Sequence, residues 1–142
     1  MSQPTAPKIL RVLETALYAA DLAVTAAFYR SIFGFAVLTD TPRICALDVG
    51  GESVLLLFQR GATTEGLRGD GGFIPPHDAE GPAHFAFAIE GEDIEKWVAH
   101  FAAHDVVIES RVSWERGGTS LYFRDPDNHS VELATRGTWS TF

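Results

Sequence analysis

The sequence predicts an α+β fold of two tandem β-α-β-β-β modules, which form a curved mixed sheet that encloses a cup-shaped cavity, with the helices outside. Three observations predict it. The order of strand-like and helix-like stretches in the first half recurs in the second, and a glycine- and proline-rich stretch separates the halves. Strands in both halves alternate bulky side chains with small or ionisable ones, so each has one face suited to a core and one suited to a cavity wall. A chain of 142 residues is expected to form a single domain, 1–142, burying roughly two-thirds of its unfolded surface. Module 1 covers about 10–59, the linker loop 60–82, and module 2 about 83–136.

Residues 12–19 open the first module as a strand. A helix follows: Asp21 is a suitable N-cap, Leu22, Ala26, Tyr29 and Phe33 recur at helical spacing, and Gly34 supplies the stop. Residues 35–38, 44–49 and 53–58 read as three strands, with Gly50-Gly51 as a hairpin turn between the last two. Residues 60–82 hold six glycines and three prolines, which reads as a loop; loops this long in compact domains are usually functional or linkers. In the second module residues 84–89 are strand-like. Residues 93–103 are helical, with Ile94, Trp97, Val98 and Phe101 on one side, and 106–112, 119–124 and 130–135 are three more strands. Gly117-Gly118 and Asp125-Pro126-Asp127-Asn128 sit at turns. Superposing the halves pairs Glu14 with His84, Asp21-Leu22 with Asp93-Ile94, and Leu56 with Glu132.

Composition narrows the function. Acidic residues outnumber basic ones 19 to 11, for a formal charge of −8, with no basic cluster, which argues against nucleic-acid binding. No apolar run approaches the roughly 20 residues of a membrane span. The opening MSQPTAPK has no charged-then-apolar leader pattern, and the single Cys45 fits a reducing compartment, so a cytoplasmic location is expected. Cys45 itself reads as a small buried apolar residue.

Sorting the strands by face gives the candidate site. Leu13, Thr15 and Leu17 oppose Glu14, Ala16 and Tyr18; Phe85, Phe87 and Ile89 oppose His84, Ala86 and Ala88; Val131 and Leu133 oppose Ser130, Glu132 and Ala134. The bulky set would pack on the helices. If the sheet curls into a cup, Glu14, His84 and Glu132 all point into it, with Tyr122 beside them. A carboxylate there costs several kcal/mol unless hydrogen-bonded, paired or metal-bound, and two carboxylates together need a cation between them. One histidine and two carboxylates suit a divalent ion: Mn, Fe or Mg by the oxygen-rich set, with Zn or Ni also compatible. Leu56, Phe58, Trp114 and Tyr122 would wall the substrate space. Trp97 belongs to the helix core, Arg124 is expected to pair with the turn acids, and His77, His100, His104 and His129 read as solvated.

The matching text is Leu17-Tyr18-Ala19-Ala20-Asp21-Leu22, then Ala27-Phe28-Tyr29-Arg30 leading to Phe33-Gly34-Phe35, then Gly81-Pro82-Ala83-His84-Phe85-Ala86-Phe87, and finally the run from Gly117 to Leu133. Over about residues 10–136 this resembles the vicinal-oxygen-chelate superfamily of glyoxalase I, extradiol dioxygenases, fosfomycin-resistance thiol transferases and bleomycin-binding proteins. In metal-using relatives the ligands come from the first, fourth, fifth and eighth strands. The resemblance therefore implies His84 and Glu132 as ligands, with Glu14 at a first-strand position that is most often histidine. Leu56 stands at the fourth-strand position and cannot ligate, which moves the chain away from glyoxalase I and methylmalonyl-CoA epimerase toward a three-ligand plan.

The resulting expectation is a divalent-metal-dependent enzyme acting on a small oxygenated molecule, with dioxygenase or group-transfer chemistry ranked above lyase or isomerase chemistry. Glu14, His84 and Glu132 would hold the metal. Glu14 would double as a base, and Tyr122 would hydrogen-bond the substrate. The rival is a metal-free protein that sequesters a drug-like ligand in the same cup. Open sheet edges, together with the pairing of modules across chains in relatives, point to a homodimer.

Overall fold

The computed structural model describes residues 5–142; the first four positions, part of the stretch read above as lacking a leader, lie outside the described residues. The first module runs β1 (Glu14–Ala19), α1 (Leu22–Phe33), β2 (Val37–Asp40), β3 (Ile44–Val49) and β4 (Ser53–Gln59). A hairpin of β5 (Leu67–Gly69) and β6 (Gly72–Ile74) follows. The second module is then β7 (His84–Ala88), α2 (Ile94–Ala103), β8 (Ser110–Ser113), β9 (Thr119–Arg124) and β10 (Ser130–Ala134). Among the described residues no helix is long and apolar enough to cross a membrane.

Local chemistry sets these boundaries. The Asp21 side chain accepts the Val24 N–H, starting α1, and Gly34 ends it in the left-handed region at φ 67, its N–H donating to the Arg30 carbonyl. Gly50 and Gly51 both have positive φ, 65 and 73, at the centre of the tight turn in which the Glu52 N–H donates to the Val49 carbonyl. The second strand of each module, β2 and β8, starts further along than its pattern suggests, because Phe35, Val106 and Ile108 pack against the core before the backbone reaches a partner strand. Residues 60–82 hold the β5–β6 hairpin rather than loop alone: Gly69 pairs with Gly72 across Asp70-Gly71. That dipeptide is a turn signal which the glycine-rich surroundings obscured.

The strands form two four-stranded sheets, ordered β1-β4-β3-β2 and β7-β10-β9-β8, each with one parallel pair at its edge. Register makes the repeat explicit. Glu14 pairs with Val54 and Ala16 with Leu56, while His84 pairs with Ser130 and Ala86 with Glu132. Leu56 therefore occupies the place in the first sheet that Glu132 occupies in the second.

A single core takes the bulky faces of both sheets. Leu17, Leu47, Leu55 and Leu57 from one meet Phe87, Leu121, Phe123 and Leu133 from the other, together with Tyr29 of α1 and Phe101 of α2. The helices lie on the faces away from the cavity-wall residues, as the pattern predicts. The halves do not curl into one continuous sheet within the chain. With both bulky faces turned into a shared core, the two polar faces point outward, each forming half of a cup.

The turn before β10 clamps the modules together. Asp125 Oδ1 accepts the N–H groups of Asp127 and His129 at 3.0 and 2.9 Å, and its Oδ2 accepts the Tyr29 hydroxyl at 2.6 Å. Asp127 accepts the Ala20 N–H and the Thr25 hydroxyl at 2.9 and 2.5 Å. His129, expected to be exposed, is only 2% exposed. Its Nδ1 accepts the Ala83 N–H at 2.8 Å, so the proton sits on Nε2 and is donated to the Tyr18 carbonyl at 3.3 Å.

Burial, followed by the charge of Asp125, pushes the Tyr29 phenol far above its ordinary 10.0. The unfolded chain therefore loses this proton first as pH rises, and the stability Tyr29 carries is complete below pH 10 and drains above it. Urea midpoints measured from pH 8 to 11 should fall beyond pH 10. Tyr29→Phe should start lower by about 1.5–3 kcal/mol, the worth of a hydrogen bond to a charged group, and show a flatter alkaline limb.

Candidate functional site

The polar face of the second sheet carries a compact ionisable group. Across the β9–β10 ladder Glu132 stands opposite Tyr122, and Ser120 lies two residues before Tyr122 on the same face. Glu132 is 6% exposed, a carboxylate that needs partners. The Ser120 hydroxyl, itself fully buried, donates to its Oε2 at 2.5 Å, and the Trp114 indole N–H donates to Ser120 Oγ at 2.8 Å. That leaves Oε1, which lies 3.3 Å from His84 Nε2.

The tautomer of His84 decides what that pair can hold. His84 Nδ1 lies 2.9 Å from the Ser130 carbonyl, which can only accept, so Nδ1 bears the proton. Nε2 then presents a lone pair toward a carboxylate oxygen. Two such atoms face each other stably only with a cation or a proton between them. Ligand atoms at right angles on one ion, each about 2.1 Å from it, stand about 3.0 Å apart. The observed spacing and donor set therefore fit a divalent ion, with Glu132 offering one oxygen. Tyr122 stacks on the His84 ring at 6.2 Å between centroids. Burial, and then the Glu132 charge, hold its phenol above the ordinary value, so at neutral pH it keeps its proton and acts as a donor.

The polar face of the first sheet is a separate half-cup. Glu14, Tyr18, Leu56, Phe58 and His77 help to line a cavity of 620 Å³. Here the structure departs from the single cup expected: Glu14, Leu56 and Phe58 lie on one half, and His84, Trp114, Tyr122 and Glu132 on the other. Glu14 does not come within 4.8 Å of both His84 and Glu132 in the single chain. His77 is not a solvated loop residue, because its Nδ1 lies 2.5 Å from the Tyr18 hydroxyl. Arg124 pairs with Glu109 at 2.9 Å and with the Asn128 carbonyl, not with the turn acids. His100 is half-buried, donating to the Ile32 carbonyl at 2.7 Å. Cys45 is buried, and burial raises its thiol pKa, so it is kept unreactive. Ser120 was missed by the sequence reading, although strand alternation from Tyr122 already puts it on the cup face.

Among the described residues the one group of three donors within 4.8 Å is Asp125, Asp127 and His129. In this structure it serves as a turn clamp. Both His129 nitrogens and the Asp125 and Asp127 oxygens are already engaged by protein donors or acceptors.

Residues 11–133 match the Glyoxalase/Bleomycin resistance protein/Dioxygenase superfamily. The chain belongs to this superfamily. A metallothiol transferase, FosB, of Bacillus licheniformis is 28% identical over 131 residues, covering 90% of this chain and 77% of that one. The uncharacterised YaeR of Escherichia coli is 30% identical over 135 residues, covering 87% and 94%. The crystal structure of a lactoylglutathione lyase from Agrobacterium tumefaciens superposes with a TM-score of 0.83 at 32% identity, covering 92% of this chain and 96% of that one.

The two readings of the Asp125–Asp127–His129 group separate on one variant. Asp127→Ala loses the hydrogen bonds from Ala20 and Thr25 and should destabilise the fold by about 2 kcal/mol. The drop in melting temperature should be the same with and without EDTA. A drop that EDTA abolishes would make the group a metal site.

Proposed function

We propose that the protein is a divalent-metal-dependent enzyme that acts on a small oxygen-bearing molecule by thiol group transfer. The observation that carries this reading is the His84 Nε2–Glu132 Oε1 pair at 3.3 Å, with the proton fixed on the far imidazole nitrogen. His84 and Glu132 would hold the ion, and Glu14 would complete the set. A bound ion would supply Lewis-acid polarisation of a substrate oxygen. The protein's own residues do the rest. The Ser130 carbonyl sets the His84 tautomer, Ser120 holds Glu132 to one free oxygen, and Tyr122 offers a proton to a bound oxygen. Leu56 keeps the ligand count at three, leaving positions for both a substrate oxygen and a thiolate. The metallothiol transferase relative supports this choice over oxygenation. The likeness to a lactoylglutathione lyase favours a second reading, isomerisation of a thiol adduct with Glu14 as the base.

Because Glu14 sits on the other half-cup, the reading includes a homodimer in which Glu14 of one copy meets His84 and Glu132 of the other. β1 and β7 are unpaired sheet edges, and beside β1 Ile9, Leu10, Val12 and Leu13 stand 58–84% exposed. Apolar side chains along an open edge are what a second copy would cover. The dimer interface would then build the active site.

Elemental analysis of purified protein should find a divalent metal, lost in a folded His84→Ala variant. Ser120→Ala should keep the fold yet weaken Mn²⁺ binding 10–100-fold, the usual effect of removing a residue that orients a ligand; unchanged affinity would detach Ser120 from the site. A thiol with fosfomycin as the electrophile and Mn²⁺ should turn over, whereas catechols in air with Fe²⁺ should not. Turnover of methylglyoxal hemithioacetal alone, abolished by Glu14→Gln, would establish the lyase reading instead.

Complementation tests the shared site. A Glu14→Ala chain mixed with a His84→Ala chain should regain one intact site per heterodimer and so recover metal binding that neither homodimer shows. No recovery, or a 15.5 kDa species alone by light scattering, would refute the two-chain site.

A further inference from the structure

We propose that the first half-cup is a specificity subsite for a flat, ring-bearing acid, made by Tyr18, Phe58, His77 and Arg43, and that the substrate is an elongated molecule whose anionic end lies there. This rests on the metal-enzyme reading for the position of the reacting end, and the subsite itself contains none of the metal residues. Three observations carry it.

The first is that the subsite is built. Loop 60–82 is fastened at its base: the His77 N–H donates to the Thr63 carbonyl at 2.9 Å, the fully buried Thr63 hydroxyl donates back to the His77 carbonyl, and the Gly61 N–H donates to Asp78. This places the imidazole edge-on to Phe58 at 4.7 Å between centroids, while Tyr18 stacks on Phe58 at 5.7 Å. Register puts these groups at one end of the sheet, where Tyr18 pairs with Phe58 and Phe58 with Ile44, next to Arg43.

The second is a proton inventory. A neutral Tyr18–His77 pair carries one O–H and one ring N–H, and their 2.5 Å contact uses only one of them. The other has no partner among the described residues, whichever way the proton lies, and both residues line the cavity. The Arg43 guanidinium sits 5.9 Å from the Phe58 ring centroid and gives its Nε–H to the Ala62 carbonyl. Among the described residues it has no carboxylate partner. Uncommitted donors and an unpaired guanidinium around aromatic rings suit a carboxylate borne on an aromatic or similarly flat body.

The third is a ruler. Glu14 and Tyr18 lie on the same face of β1, four residues apart, which at 3.3 Å per residue is about 13 Å. Glu14 lines the same 620 Å³ cavity from its opposite end. A three-carbon substrate at the Glu14 end would leave the rings and Arg43 unfilled. A longer acid, with its reacting oxygens at that end, would occupy both.

The test uses EDTA-treated full-length protein, so that it is independent of the metal, with 2-naphthoate and its uncharged analogue 2-naphthylmethanol as probes followed by amide NMR shifts. Naphthoate should bind at least tenfold more tightly than the alcohol and shift the amides of Ile44, Phe58 and His77, leaving those around His84 unmoved. Arg43→Ala should abolish the tenfold preference without weakening the alcohol, and Arg43→Lys should restore part of it; both change a surface cation and should melt like the parent. Equal binding of the two probes, or a preference that survives Arg43→Ala, overturns the subsite. If instead the naphthoate result holds while no divalent metal is ever bound, the enzyme reading fails and the subsite stands.

Discussion

One apolar core is shared by two sheets in this chain, and strand geometry does the rest. Side chains on a strand alternate strictly between faces, so committing Leu17, Leu55 and Leu57 and then Phe87, Phe123 and Leu133 to a common interior forces the residues between them outward on opposite sides. Glu14 goes with one sheet, and His84 and Glu132 with the other. The division of the cup into halves follows from where the hydrophobic area is buried. At roughly 25 cal/mol per Å² of apolar surface, that burial far outweighs what one ion pair could contribute to drawing the halves together.

The Asp125–Asn128 turn keeps the sheets in fixed relation. Asp125 and Asp127 sit at the end of the second sheet, yet their acceptors are filled from α1 and from the chain leaving β1. A buried carboxylate with one donor missing is costly, so the clamp holds as a unit. The same residues that would make a metal cluster on paper each have their ligand-type atoms engaged by a protein partner, holding two modules in register.

The His84–Glu132 pair shows the opposite balance. Each residue has one group satisfied by the protein, the imidazole by Ser130 and the carboxylate by Ser120, and one atom turned toward the other, a gap that a cation or a proton can bridge. The turn clamp engages each of its ligand-type atoms with a protein partner, whereas this pair leaves two facing one another. The first half-cup repeats the contrast with donors in place of acceptors, at Arg43 and at the Tyr18–His77 pair.

Much of this was legible in the chain itself, and for a physical reason. Helix caps at Asp21 and Gly34, glycine turns and period-two alternation are local properties, so the modules, their order and the face of each candidate residue could be read off. Leu56 could be set opposite Glu132 because a repeat preserves register. Partnerships across long separations could not be read. His129 looked exposed because the groups that bury it, the Tyr18 carbonyl and the Ala83 N–H, come from elsewhere in the chain. His77 looked solvated because Thr63 folds its loop back onto Tyr18 and Phe58. Alternation determined which side of its own strand each residue takes. Which sides face one another is a property of how two finished sheets pack, and only the tertiary structure decided it.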